Sequence, residues 1–185
     1  MKKYIVLAGL LMNTATFADT YVNIETNLGK ISIELYDQQA PITTKNFLKY
    51  VKKEHYNGTL FHRVIPDFMI QAGGFDQNLQ QKETDQPIKN EASNGLKNIR
   101  GSIAMARTSN PNSATAQFFI NTQNNTSLDQ TPYNDGYAVF GKVIQGMQIV
   151  DQISHVKTTV YGMQQNLPVQ PIIIEKMTIQ KNKPN

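Results

Sequence analysis

Short apolar stretches with a period of two constrain the fold of this chain most strongly. Residues 21–36 read YVNIETNLGKISIELY, and apolar residues alternate with polar ones at Val22, Ile24, Ile31, Ile33 and Leu35. Because successive side chains of a strand point to opposite faces, the alternation predicts two strands that each bury one face. The Asn-Leu-Gly sequence between them supplies turn-forming residues. The pattern therefore predicts a β-hairpin.

Further short apolar runs follow, separated by loops of Gly, Pro, Asn and Ser. They predict strands at 60–65, 68–72, 102–106, 117–121, 137–143 and 171–179. From about Pro41 to Lys53, and again after Gly146, the apolar residues no longer recur every second residue but at helical spacing. These two stretches predict two helices. Polar residues from about Phe75 to Gly95 predict a long surface loop. Many short strands with two helices favour a closed antiparallel barrel or a sandwich, and the period alone does not choose between them.

The first 18 residues differ from the rest of the chain. Two lysines precede an apolar run from Tyr4 to Met12, and the small-x-small sequence Thr16-Phe17-Ala18 follows. This layout is typical of a secretory signal peptide, and the apolar run is too short for a permanent membrane span. We expect cleavage after Ala18, which gives a signal peptide at 1–18 and one domain at 19–185; a buried N-terminal helix or strand is the alternative.

The composition excludes several kinds of function. Without residues 1–18 the net charge falls from +4 to +2, and the remaining basic residues are scattered, so neither nucleic acid nor an anionic membrane surface is an expected partner. The chain has no cysteine, which excludes thiol catalysis and thiolate metal sites. The three histidines show no metal-binding spacing. We expect no metal and no cofactor.

One apolar stretch contains an arginine that needs an explanation. Residues 61–74 read FHRVIPDFMIQAGG. A guanidinium stays charged, so placing Arg63 among apolar residues costs desolvation unless it faces water or binds a partner. On its own, an arginine on a strand is more often a solvated surface residue. The pattern alone leaves both interpretations open.

Several motifs together resemble one family. FHRVIPDFMIQAGG at 61–74, GSIAMAR at 101–107, NSATAQFFINT at 112–122, LDQ at 128–130 and GYAVFGKVIQGM at 136–147 are similar, in this order, to the cyclophilin family of peptidyl-prolyl cis-trans isomerases. The resemblance implies a closed eight-stranded antiparallel β-barrel capped by two α-helices, with the active groove on its outer face. The stretch IKNEASNGLKNIRGSIAMAR and the predicted signal peptide resemble the periplasmic branch of this family, which is found in Gram-negative bacteria.

The resemblance also implies roles for particular residues. Arg63 matches the catalytic arginine of the family, and Gln71 matches the glutamine that holds this arginine and the substrate backbone. The implied substrate-binding residues are Phe68, Met69, Ala106, Arg107, Gln117, Phe119, Leu128 and Tyr137. By pattern alone, Phe68, Met69 and Phe119 would be ordinary core residues. His62 is interpreted as a buried structural residue, and His55 and His155 as surface or loop residues.

Two positions differ from many eukaryotic relatives. This chain has Ser127 where those relatives carry a tryptophan, and Tyr137 where they carry a histidine. Loss of the indole removes apolar surface and an N–H donor, so we expect weak cyclosporin binding. Because guanidinium and amide side chains keep one protonation state between about pH 6 and 8, we expect turnover to depend little on pH there.

The sequence leaves alternatives to an exported prolyl isomerase that acts on proline-containing polypeptide clients. One is a peptide-binding chaperone or holdase that uses the same groove without essential isomerase activity. Another is a secreted protein whose target lies outside the periplasm, because a signal peptide specifies export and not the final address. With one groove and no other long apolar segment, we expect a monomer.

Overall fold

The computed structural model describes residues 20–180 and 182–184; the predicted signal peptide lies outside the described residues. Residues 20–180 form ten strands and two α-helices, with two short 3-10 turns at 92–94 and 126–128. The elements are β1 (Thr20–Thr26), β2 (Gly29–Leu35), α1 (Pro41–Lys52), β3 (Thr59–Ile65), β4 (Met69–Asp76), β5 (Ser102–Met105), β6 (Phe118–Asn121), β7 (Val139–Gln145), α2 (Met147–Ser154), β8 (Thr158–Tyr161), β9 (Gln164–Pro168) and β10 (Ile173–Gln180).

Eight of the strands close into an antiparallel barrel, so the barrel is confirmed and the sandwich is not formed. The strand order around the barrel is β1-β10-β3-β4-β6-β5-β7-β2, and β8 pairs with β9 in a separate two-stranded sheet. Both helices bury side chains in the same apolar cluster as the barrel interior, including Phe47 of α1 and Val150 of α2. None of the helices in residues 20–180 has the length and apolar character needed to cross a membrane.

The predicted surface loop begins later than expected and is tied to helix α1. β4 continues to Asp76, and Glu91 caps the helix: its carboxylate accepts hydrogen bonds from the backbone N–H of Thr43 at 2.8 Å and from the Thr43 hydroxyl at 2.7 Å. Lys49 and Lys53 both pair with Asp85. These surface ion pairs contribute little stability each, but they hold the middle of the loop against helix α1.

The β8–β9 hairpin has no counterpart among the predicted elements. Its first strand, Thr158–Tyr161, has no buried residue, and only Pro168 is buried in its second strand. Because strand prediction depends on one buried face alternating with one solvated face, an exposed hairpin gives no such signal. The other strand and helix boundaries lie within about two residues of their predicted positions for most elements, as is usual for such boundaries.

Side chains on the two faces of the barrel wall form two separate apolar clusters. The interior cluster includes Ile70 and Phe118, while their neighbours Met69 and Phe119 belong to a second cluster on the outside of the wall. This follows from the period of two along β4 and β6. The outer cluster is the base on which the candidate site is built.

Candidate active site

A β-bulge directs Arg63 to the outer face of the barrel. Phe61 pairs with Ala72 and Arg63 pairs with Gln71, so two residues of β3 advance against one residue of β4 and His62 is the extra residue. Phe61 and Val64 both lie in the interior cluster although they are three residues apart. Without the bulge, the period of two would place them on opposite faces. The bulge therefore brings Arg63 opposite Gln71.

One pocket on the outer wall collects nine of the ten predicted site residues. It is lined by Arg63, Phe68, Met69, Gln71, Ala106, Arg107, Phe119, Leu128 and Tyr137. The tenth, Gln117, lines a neighbouring side pocket together with Gln71, Ala106 and Arg107. Residues that are distant in sequence meet because β3, β4 and β6 are neighbours in the barrel. The two pockets share Gln71, Ala106 and Arg107, so they form one continuous groove.

A chain of hydrogen bonds orients the arginine. Arg63 Nη1 donates to Gln71 Oε1 at 3.4 Å, and Gln71 Nε2 donates to Gln117 Oε1 at 2.8 Å. Arg63 is half-buried, and the ion pairs of the described residues involve other cations. Its charge is therefore not neutralised by a carboxylate of residues 20–180. The guanidinium remains available to an acceptor that enters the groove.

The two glycines that end the FHRVIPDFMIQAGG motif each allow a neighbouring side chain to approach the backbone closely. Gly73 has φ +87°, and a Cβ there would lie 2.8 Å from the ring of Tyr56. A Cβ on Gly74 would lie 2.5 Å from Cδ of Gln117, so the Gln117 side chain passes directly over this residue. The sequence pattern placed these glycines at the end of the strand at 68–72 and gave them no role in the site, but β4 continues through both of them to Asp76. Their spacing after Gln71 was the available signal, because glycine permits close approach of a neighbouring group.

Aromatic rings form the apolar wall of the pocket. The rings of Phe119 and Tyr137 meet edge to face, with centroids 5.7 Å apart and planes at 79°. Met69 and Phe119 are buried, at 2% and 4% exposure, but in the outer cluster and not in the barrel interior. Met69 and Phe119 therefore pack in the outer apolar cluster and also line the pocket. A small apolar ring fits the chemistry of this wall.

Buried amides hold together the loops that carry the pocket. Asn98 Nδ2 donates to the carbonyl of Leu128 and to Asp129 Oδ1, both at 3.1 Å. Asn125 Nδ2 donates to the carbonyl of Phe68 at 2.7 Å, and Asn121 Nδ2 donates to Asn98 Oδ1 at 3.2 Å. Sequence reasoning missed this network because asparagines in loops are typical turn residues. Its effect is to fix the positions of Phe68 and Leu128 relative to each other.

The histidines take no part in lining the pocket. His62 is buried, packs against Phe75 with ring centroids 4.7 Å apart, and burial lowers its pKa to about 4. The expected burial is confirmed, although Nδ1 has no hydrogen-bond partner in the part of the chain that the structure describes. His55 lies in a turn, where burial lowers its pKa, and His155 is exposed after α2. Within residues 20–180 and 182–184, no three side chains of the types that hold metals come together.

A closed eight-stranded barrel with an outer apolar pocket edged by an arginine and a glutamine defines the cyclophilin class of protein. The family model described as cyclophilin type peptidyl-prolyl cis-trans isomerase/CLD matches residues 21–179. The chain belongs to this family. The family resemblance noted from the motifs is therefore confirmed.

Several relatives are similar over nearly the whole domain. A peptidyl-prolyl cis-trans isomerase of Acinetobacter baylyi is 59% identical over 175 residues, which cover 95% of this chain and 93% of that protein. Peptidyl-prolyl cis-trans isomerase B of Escherichia coli is 52% identical over 85% of this chain and 98% of its own length. A crystal structure of a Cryptosporidium parvum cyclophilin superposes with a TM-score of 0.73 at 28% identity, covering 89% of this chain and 99% of that one.

Proposed function

We propose that this cyclophilin-type peptidyl-prolyl cis-trans isomerase accelerates X-Pro rotation by using Arg63 to stabilise the twisted amide. The observation that carries the proposal is the position of Arg63: half-buried, held by Gln71, without a carboxylate partner in residues 20–180, and at the edge of an apolar pocket. The proposed substrates are proline-containing segments of folding or flexible polypeptides.

The chemistry requires selective binding and no bond cleavage. Rotation about an X-Pro bond crosses a barrier of roughly 18–20 kcal/mol and takes tens to hundreds of seconds, because amide resonance is lost at the midpoint. An isomerase must bind the twisted form more tightly than either planar form. In the twisted form the prolyl nitrogen regains a lone pair. A positioned N–H donor directed at that lone pair, or at the adjoining carbonyl, stabilises the midpoint selectively.

The groove supplies such a donor and limits its motion. The Arg63 guanidinium donates towards the substrate amide. Gln71 accepts a hydrogen bond from Nη1 of Arg63 and donates one to Gln117, which holds Gln71 in place. This pre-orientation lowers the cost of reaching the productive geometry. Rotation about the X-Pro bond makes and breaks no covalent bond, so proton transfer has no part in the mechanism.

The prolyl ring is proposed to occupy the apolar pocket formed by Phe68, Met69, Phe119, Leu128 and Tyr137. Holding the ring there leaves the rest of the substrate free to rotate about the X-Pro bond. A Cryptosporidium parvum cyclophilin, 30% identical over 88% of this chain with a TM-score of 0.73, was solved in the presence of the dipeptide Ala-Pro. That dipeptide supports a proline-containing peptide as the ligand class proposed for this chain.

The decisive experiment measures cis-trans exchange of a short Ala-Pro peptide by NMR, with residues 19–185, Arg63→Ala and Arg63→Lys. We expect the parent to accelerate exchange and Arg63→Ala to lose about 100-fold or more in kcat/KM. Arg63→Lys should recover little, because an ammonium lacks the planar fork that Gln71 holds. Lys176→Ala is the control, since this exposed lysine lies on β10 and outside the groove.

The same proteins distinguish an isomerase from a holdase. If the parent binds the peptide and suppresses aggregation of an unfolded protein but leaves the exchange rate at its uncatalysed value, the holdase is the correct function. If Arg63→Ala exchanges the peptide as fast as the parent, the role of Arg63 is wrong. An isomerase whose catalysis depends on Arg63 should lose exchange activity while it still binds the peptide.

Export to the periplasm is proposed from the N-terminal pattern. The family model begins at residue 21, which leaves the basic and apolar leader outside the matched domain. The test expresses the full chain in a Gram-negative host and compares the periplasmic extract, the culture supernatant and the cytoplasm. A product that begins at Asp19 in the periplasmic extract supports the proposal. The same product in the supernatant favours full secretion, and an uncleaved cytoplasmic product contradicts both.

Weak cyclosporin binding and a monomeric state complete the proposal. Ser127 is exposed and does not line the pocket, so this position contributes neither an aromatic surface nor an indole N–H to a bulky cyclic ligand. Calorimetry should give a weak cyclosporin affinity for the parent and a tighter one for Ser127→Trp. Sedimentation of residues 19–185 should give the mass of one chain.

A further inference from the structure

The groove carries a second arginine whose charge is also unpaired. Arg107 lines both the prolyl pocket and the side pocket, and no aspartate or glutamate of residues 20–180 lines either of them. The ion pairs of the described residues leave out Arg107 as well as Arg63. The groove therefore presents two positive charges and no negative charge from the residues that line it. Such a surface favours an anionic group in the ligand.

The Arg107 side chain is held in one place by neutral partners. Nε donates to the carbonyl of Gly136 at 3.0 Å, and Nη1 donates to the carbonyl of Thr108 at 2.8 Å. Its guanidinium lies over the ring of Tyr137, 4.4 Å from the centroid. Because the side chain is already ordered, less conformational entropy is lost when it binds a ligand.

The carbonyl that anchors Arg107 is itself fixed. Gly136 has φ +65°, and a Cβ there would lie 2.4 Å from the backbone nitrogen of Gln130. Only glycine fits this position, and its carbonyl also accepts a hydrogen bond from Asn90 Nδ2. The Nη2 group of Arg107 has no acceptor among the described residues. A planar guanidinium held in this way can donate to a carboxylate oxygen without rearranging.

We propose that Arg107 makes this isomerase prefer clients with an aspartate or glutamate within about two residues of the proline. The spacing follows from geometry: each residue of an extended chain covers about 3.3 Å, and Arg107 borders the pocket proposed for the prolyl ring. Tyr137 has two roles in this arrangement, since it forms the pocket wall and supports the guanidinium from below. The inference rests on the proposed isomerase function.

The test compares peptides that differ only in charge. X-Pro peptides with Glu, Gln or Lys at each of the two positions before and the two positions after the proline are assayed by NMR exchange. For the parent we expect kcat/KM to be higher for the best Glu peptide than for its Gln counterpart by about three- to tenfold, and lower for the Lys peptide. The preference should shrink as salt is raised from about 0.05 M to about 0.5 M.

Arg107→Gln and Arg107→Lys test whether Arg107 causes the preference. The readout is the Glu-to-Gln ratio, so any general loss of activity in a variant cancels. The ratio should fall to about one in Arg107→Gln and to an intermediate value in Arg107→Lys, which keeps the charge without the planar fork. Lys176→Gln removes one charge from an exposed site outside the groove and should keep the parent ratio.

Each outcome has one meaning. A parent that accelerates exchange of the Gln peptides but shows no preference for Glu overturns the inference and leaves the isomerase function intact. If the preference for Glu survives in Arg107→Gln, another cation causes it, and the inference is also overturned. A parent that accelerates none of the peptides contradicts the isomerase function itself.

Discussion

The side chain of Gln117 passes over the backbone of Gly74 to reach Gln71. A Cβ at residue 74 would lie 2.5 Å from Cδ of Gln117, and the amide of Gln117 accepts the hydrogen bond from Gln71 at 2.8 Å. The glycine is therefore a condition for the hydrogen-bond chain that ends at Arg63. Gly74 is not among the residues that line the two pockets, yet it determines where the guanidinium is held.

Gly74→Ala should lower kcat/KM for an Ala-Pro peptide by about tenfold, because the displaced Gln117 no longer fixes Gln71. Stability should change by less than about 1 kcal/mol, since the clash is with a side chain that can move and Gly74 does not have a positive φ. NMR exchange and urea unfolding measure the two quantities. Gln117→Ala is the matched control, and adding Gly74→Ala to it should cause little further loss. Additive losses would contradict the link between these residues.

Tyr56→Phe should reduce stability and leave activity within about twofold. The buried Tyr56 hydroxyl donates to the carbonyl of Ala116 at 2.9 Å, and burial raises its pKa well above the ordinary value, so it remains a donor. Removing the hydroxyl leaves that carbonyl without this partner, which costs about 1–2 kcal/mol. Urea unfolding checks the loss. An unchanged midpoint would show that this bond contributes no net stability.

Asn98→Asp should destabilise the protein most at neutral pH. The new carboxyl group would lie where Asn98 Nδ2 now donates to Asp129 Oδ1 at 3.1 Å, so two buried carboxylates would face each other. The pKa of the new group in the folded state is then raised above its unfolded value. Between the unfolded-state pKa and the raised folded-state pKa, the native state binds more protons than the unfolded state. The free energy of unfolding therefore increases as pH falls through this range. Unfolding at several pH values measures this.

Asn98→Ala is the control for this pH dependence. It removes the same hydrogen bonds without adding a charge, so its loss of stability, about 2–3 kcal/mol, should vary little with pH. Both variants should also raise KM, because Leu128 and Phe68 are no longer fixed relative to each other. Equal pH profiles for the two variants would contradict the proposed repulsion.

His62 should make the protein less stable in mild acid. Burial lowers its pKa to about 4 from an ordinary value of 6.5, so the unfolded state binds the proton more readily between these values. The contribution of His62 to the free energy of unfolding is therefore fully present above about pH 6.5. It decreases by about 3 kcal/mol as pH drops to about 4. His62→Gln should flatten this part of the stability curve. A curve for His62→Gln that runs parallel to that of the parent would refute the assignment.

Local patterns were sufficient for most of the barrel and failed where burial gave no signal. The first hairpin and helix α1 were predicted because alternation and a first-turn proline leave direct marks in the sequence. The β8–β9 hairpin was missed because its strands are almost entirely exposed. The bulge at His62 was also missed, since one extra residue in an apolar strand changes the pairing but not the local pattern.

The sequence by itself determined the eight strands of the barrel, the two helices and, through its motifs, the family and the residues proposed for the site. Only the tertiary structure decided how those residues act together. The Gln117–Gln71–Arg63 chain joins β3, β4 and the residue before β6, and the Asn98 network and the Arg107–Tyr137 contact join separate loops. The physical reason is that such contacts link residues far apart in the chain, and their geometry depends on how the strands pair and where a bulge shifts the register.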